Sequence, residues 1–189
     1  AYTWETAGGV WQQNKGVLSQ VSASDKEPVK AIISRSGEAF PDELTITARL
    51  RVDKWIDGEA AIAGVSLMTN ILDGCGYSLV FHKDHGTVQF LDDKVAWGPS
   101  YDFNWENQAW YWFKLKIEEG TLYGKVWRET ETEPEIWPYV WQHGGRAGYP
   151  ALCGGSGAYD PGLDGMKVDG LAKVSFDDVS VLGIPVAKP

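Results

Sequence analysis

Apolar and polar residues alternate with a period of two along much of this chain. Across 43–54, Leu44, Ile46, Ala48, Leu50 and Val52 are separated by Thr45, Thr47, Arg49, Arg51 and Asp53. Successive side chains of a strand point to opposite faces, so this segment predicts a strand with one buried and one wet face. Across 108–118, Tyr111, Phe113, Leu115 and Ile117 alternate with Trp110, Trp112, Lys114 and Lys116. Glu119-Gly120 interrupts the pattern, and Leu122, Gly124 and Val126 then alternate with Tyr123, Lys125 and Trp127. The two runs predict a hairpin whose tight turn uses Gly120 at positive φ. Weaker strand patterns cover 16–22, 29–34, 60–68, 77–82, 87–91, 94–97, 147–153 and 171–182, and Asp84-His85-Gly86 predicts the turn of a second hairpin. No window keeps apolar residues at helical spacing, so no helix longer than about two turns is expected.

Ten or more short strands between Gly, Asp, Asn and Pro clusters predict an all-β sandwich or barrel. The polar face on each of the two longest strands favours a two-layer sandwich. The irregular stretches 97–107, 128–145 and 154–170 read as loops, of a length that usually carries function or covers something. A chain of 189 residues suits one core. The expected domain is 1–183, with 184–189 as a tail or linker stub.

Composition narrows the partners. A net charge of −9 argues against a nucleic-acid backbone, which needs clustered Lys and Arg. No run of about 18 apolar residues predicts a membrane span. Ten Trp and eight Tyr exceed what a core of this size usually holds. Some should therefore lie at the surface, where sugar stacking and packing beneath loops are the two readings. The start at Ala1 suits a mature chain or an excised domain. Cys75 and Cys153 permit one disulfide without demanding it.

Several motifs then point to a family. Lys125-Val126-Trp127 is followed by an acidic loop and by Glu133-Pro134-Glu135-Ile136-Trp137. Gly145-Arg146-Ala147-Gly148 and a closing Phe176-Asp177-Asp178-Val179-Ser180-Val181 come after. With the opening Gly9-Val10-Trp11 and Gly16-Val17-Leu18-Ser19-Gln20, the chain resembles bacterial laminin G-like domains of the concanavalin A-like lectin/glucanase superfamily. The resemblance implies a two-sheet antiparallel jelly-roll sandwich and a secreted or otherwise extracytoplasmic location. It also implies one structural calcium ion where the N-terminal segment meets the last strand, with Asp177 and Asp178 as its carboxylates. Salt bridges to Lys or Arg are the alternative use of those two residues. Relatives of this shape include glycan-binding modules, glycoside hydrolases, polysaccharide lyases and modules of unassigned role, so fold alone does not assign an activity.

Catalytic chemistry is not legible. Glycoside hydrolysis needs two carboxylates flanking the scissile bond. The E-x-D-x-x-E strand of the glucanase branch is missing, and no catalytic residue is assigned. Glu129, Glu131, Glu133 and Glu135 crowd into a loop and read as solvated. Arg49 and Arg51 with nearby Tyr leave a lyase open. The leading reading is non-catalytic polysaccharide binding, as an ancillary module of a larger multidomain chain or as a monomeric lectin-like protein. The alternatives are a hydrolase or lyase whose residues come from separate strands, and a structural or adhesion module. The expected sugar contacts are Trp97, Tyr101 and Trp105 foremost, then Trp110 and Trp112 beside Arg49 and Arg51. Each pairs an aromatic plane for the C–H face of a sugar with polar groups for its hydroxyls.

Overall fold

The computed structural model describes residues 2–23, 28–36, 39–56, 61–93, 95–143, 145, 147–155 and 171–189. Most of the expected loop 154–170 lies outside these residues, as does Arg146 of the G-x-x-G segment.

Among the described residues, fifteen strands form two antiparallel sheets packed face to face. One sheet runs β1 (Tyr2–Ala7), β4 (Val29–Arg35), β13 (Tyr149–Gly155), β6 (Ile62–Thr69), β7 (Tyr77–His82), β8 (Thr87–Asp92) and β9 (Ala96–Asp102). The other runs β12 (Tyr139–Gln142), β11 (Thr121–Arg128), β10 (Trp110–Glu118), β5 (Leu44–Trp55), β14 (Ala172–Val181), β3 (Val17–Gln20) and β2 (Trp11–Asn14). In this second sheet β15 (Ile184–Pro185) pairs with β14. Among the described residues the helical content is one 3₁₀ turn, Lys83–His85, and no helix is long and apolar enough to cross a membrane.

The alternation read in 43–54 and 108–127 places the core. Leu44, Ile46, Ala48, Leu50 and Val52 point inward beside Tyr111, Phe113, Leu115 and Ile117, against Val65, Leu79, Phe81 and Phe90 of the facing sheet. Gly124 shares that inward parity, and a Cβ there would lie 2.6 Å from Leu79 Cδ2. A glycine at this point lets the two sheets close. The opposite parity of β5, β10 and β11 forms the outer face of the second sheet. Their register sets Trp112 beside both Arg49 and Trp127, and Lys114 beside both Thr47 and Lys125.

The expectations for two loops change. The stretch 97–107 opens as strand β9 at a sheet edge, and 128–145 contains the short edge strand β12. Residues 184–188, set apart above as a tail, pack on the sandwich. Val186 is buried in the core, Trp4 Nε1 donates to Ala187 O at 2.8 Å, and Lys188 forms an ion pair with Asp177.

Candidate functional site

The outer face of the second sheet carries a groove of about 1140 Å³. Its floor is Thr45 and Thr47 of β5, Trp112 and Lys114 of β10, Trp127 of β11, and Asp177–Ser180 of β14. One wall is Glu133 of the acidic loop. The other is the chain end from Leu182 to Lys188, with Gln13 and Gly16 of the β2–β3 hairpin.

Each part follows from local structure. Trp112 and Trp127 are cross-strand partners, and their rings stack at 6.1 Å between centroids and 17° between planes. Trp127 is 7% exposed and backs Trp112, which is half-buried and lines the groove. The acidic loop is clamped down by lysines of the sheet. Lys114 Nζ lies 2.7 Å from Glu133 Oε1, and Lys125 Nζ donates to Pro134 O at 2.6 Å. Trp137 in that loop sits over the ammonium groups of Lys116 and Lys125, at 4.9 and 4.5 Å from its ring centroid. In the floor beside the opposite wall, β14 bulges between Asp177 and Ser180, and Asp178 adopts φ +47°. A non-glycine residue in that region is held there by its surroundings.

The groove's charges are internally paired. Burial pushes the Glu133 carboxyl up, but hydrogen bonding and charge from Lys114, helped by Lys125, outweigh it and hold the group below its ordinary value. Burial acts likewise on Asp177, and Lys188, the Asp178 N–H and Arg49 together bring it below its ordinary value. Arg49 Nη2 lies 3.1 Å from both Asp177 Oδ2 and Asp178 Oδ2, and Nη1 lies 2.7 Å from Glu129 Oε2. A glycosidase acid needs a raised pKa. Glu133 and Asp177, which face the groove from opposite sides, are both shifted the other way.

The calcium expectation meets a poor donor set. Ca²⁺ takes six to eight oxygens, whereas the Asp177 and Asp178 carboxylates face the cations of Arg49 and Lys188. Among the described residues no group of three or more His, Cys, Asp or Glu gathers to hold a metal. Asp177 and Asp178 as placed do not fit calcium; they take the salt-bridge alternative.

The expected sugar contacts separate. Trp110, Trp112, Arg49 and Arg51 share the outer face as expected. The ring of Trp110, however, has the Arg49 and Arg51 guanidinium carbons 4.8 and 5.0 Å from its centroid, and Arg51 Nε is tied to Asp53 at 2.6 Å. Of these four, Trp112 alone lines the groove. Trp97, Tyr101 and Trp105 do not form one rim. Trp97 stacks on His82 at 4.3 Å, outside the first sheet with Ile62, Val80, Leu91 and Cys153. Tyr101 packs on Tyr139 at 4.6 Å, and its hydroxyl lies 3.2 Å from both N and O of Val140. Trp105 stacks on Phe81 at 4.6 Å, closing one end of the core. Among the described residues, Cys75 and Cys153 are not joined in a disulfide. Sequence reasoning missed Thr45, Thr47, Lys114, Glu133 and Lys188. The first three share the wet parity of Trp112, and that signal was available.

Compared by sequence, the chain matches no protein-family profile and no curated protein. Compared by structure, it is similar to a carbohydrate-binding module, CBM66 from Bacillus subtilis. That match has a TM-score of 0.57 at 12% identity and covers 94% of each chain. The exoplasmic/lumenal domain of VIP36 in a Ca²⁺/Man2-bound form gives 0.51 at 9% identity, over 93% of this chain and 80% of its own. A Trypanosoma rangeli sialidase in complex with sialic acid gives 0.51 at 10% identity, over 95% of this chain and 27% of its own. What this chain shares with all three is the fold, a two-sheet antiparallel jelly-roll sandwich of the concanavalin A-like kind.

Proposed function

We propose that this chain binds carbohydrate without cleaving it, through the groove on the outer face of the second sheet. The observation that carries the reading is Trp112, half-buried, backed by Trp127 and bordered by the hydroxyls of Thr45, Thr47 and Ser180. A sugar offers a C–H face to an aromatic ring and hydroxyls at its edge, and this surface offers the complement of both. The motifs that resemble laminin G-like domains support the same reading, as do glycan-binding proteins among the structures of similar fold. An extracytoplasmic polysaccharide-binding module, or a small lectin-like protein, is the form of protein this describes.

The test is affinity electrophoresis of the chain through gels containing different polysaccharides, with soluble products analysed in parallel. Trp112→Ala removes the central ring, and a central aromatic anchor is worth about 2 kcal/mol, roughly thirtyfold in affinity. Retention that vanishes in this variant, without released sugar, is the expected result. Released sugar in proportion to protein would favour the hydrolase or lyase reading. Retention unchanged by the substitution would place binding elsewhere.

A further inference from the structure

We infer that the groove accepts uncharged glycans and excludes those bearing carboxylate or sulfate groups. This rests on the proposed function and adds the chemical class of the ligand. Among the described residues, five charged side chains line the groove, Lys114 and Lys188 against Glu133, Asp177 and Asp178, leaving one net negative charge. Each lysine already has a carboxylate of this chain. Lys114 Nζ is 2.7 Å from Glu133 Oε1, and Lys188 is paired with Asp177. The Arg49 guanidinium, which reaches the groove carboxylates Asp177 and Asp178, is shared with Glu129 as well.

Recognition of an acidic sugar runs through charge-assisted hydrogen bonds from Arg or Lys. Here such a sugar would have to displace a carboxylate that the fold has placed on each cation, and would then lie beside that displaced charge. The field of the whole chain, at net charge −9, opposes its approach as well. A neutral sugar meets no such opposition. Thr45, Thr47 and Ser180 offer hydroxyls, and the paired carboxylates keep lone pairs that accept from sugar O–H groups.

Two variants and two polymer panels test this. The neutral panel holds glucan, xylan, mannan, galactan, arabinan and fructan. The acidic panel holds polygalacturonate, alginate and carrageenan. Wild type should be retarded by at least one neutral polymer and by no acidic one, with Trp112→Ala weakening retardation about tenfold or more. Glu133→Gln combined with Asp178→Asn, both at exposed carboxylates, turns the lining charge from −1 to +1. That variant should gain retardation by the acidic polymers, and salt should abolish the gain. Thermal melting checks its fold, and Glu133→Gln alone is the second variant if the pair does not fold. Acidic polymers that retard wild type through Trp112 would overturn the inference and leave glycan binding standing. A folded variant that still ignores acidic polymers overturns it too. Retardation by neither panel would overturn the proposed function, and this inference with it.

Discussion

Asp177 joins three parts of the molecule through one carboxylate. It sits at the β14 bulge, where it pairs with Arg49 of β5 and with Lys188 of the chain end. Its pKa is held below the ordinary value. A carboxyl depressed in the folded state contributes stability that is present above the unfolded pKa of about 4 and is lost as pH falls through the folded value. Asp177→Asn should therefore lower the melting temperature at pH 7, and the gap from wild type should narrow steadily below pH 4. An equal gap at both pH values would mean that the carboxylate charge is not what matters. The residue scale is also where the sequence was least legible. Asp177 and Asp178 carry no mark that separates a calcium ligand from a salt-bridge partner. Of the groups that pair with them, Arg49 lies 128 residues from Asp177 in sequence and Lys188 sits on a chain end that reads as a tail.

Between strands, legibility tracked how many faces each strand buries. β5, β10 and β11 have one wet face, so their alternation is plain. β6, β7 and β8 are buried on both faces, which erases the period-two signal and leaves short apolar runs. β9 was legible only at its start, where 94–97 reads as a weak strand, because Gly98-Pro99 reads as a loop; as an edge strand it tolerates a proline that a central strand would not. β12 has only four residues and shows almost no pattern. β9 and β12 are the edges of different sheets, and Tyr101 closes the seam between them. Its ring packs on Tyr139 and its hydroxyl meets both backbone polar groups of Val140. Tyr101→Phe keeps the ring and removes the hydroxyl, which should cost about 1 kcal/mol or somewhat more. In denaturant unfolding the midpoint should fall with an unchanged slope. No change in midpoint would show that water satisfies Val140 equally well.

Across the whole molecule, the first sheet is anchored by a buried ion pair that no sequence pattern announced. Lys30 of β4 is fully buried, with Nζ 2.6 Å from Asp93 Oδ2 and 3.0 and 3.2 Å from the hydroxyls of Ser66 and Ser78. The same Asp93 oxygen accepts from Gly76 N at 3.0 Å. One contact set thus ties β4, β6, β7 and the turn after β8 across the sheet. Burial alone would lower the Lys30 pKa, but Asp93, helped by Cys153 and Cys75, outweighs it and the net shift is upward. With a raised folded pKa, the lysine's contribution is complete below the unfolded pKa of about 10.4 and is lost only as pH rises through the folded value. Removing one partner strands a charge in the interior, so Lys30→Met should cost about 3–5 kcal/mol. That is a large share of the roughly 5–15 kcal/mol a domain has. The pair is not ideally solvated either, because Asp93 Oδ1 is buried without a hydrogen-bond partner among the described residues. Replacing both members by apolar groups, Lys30→Met with Asp93→Leu, removes the stranded charge and should recover most of the loss. Melting curves of wild type, each single variant and the double variant at pH 7 decide this. Additive losses in the double variant would show that Lys30 and Asp93 stabilise the sheet independently, not as a pair.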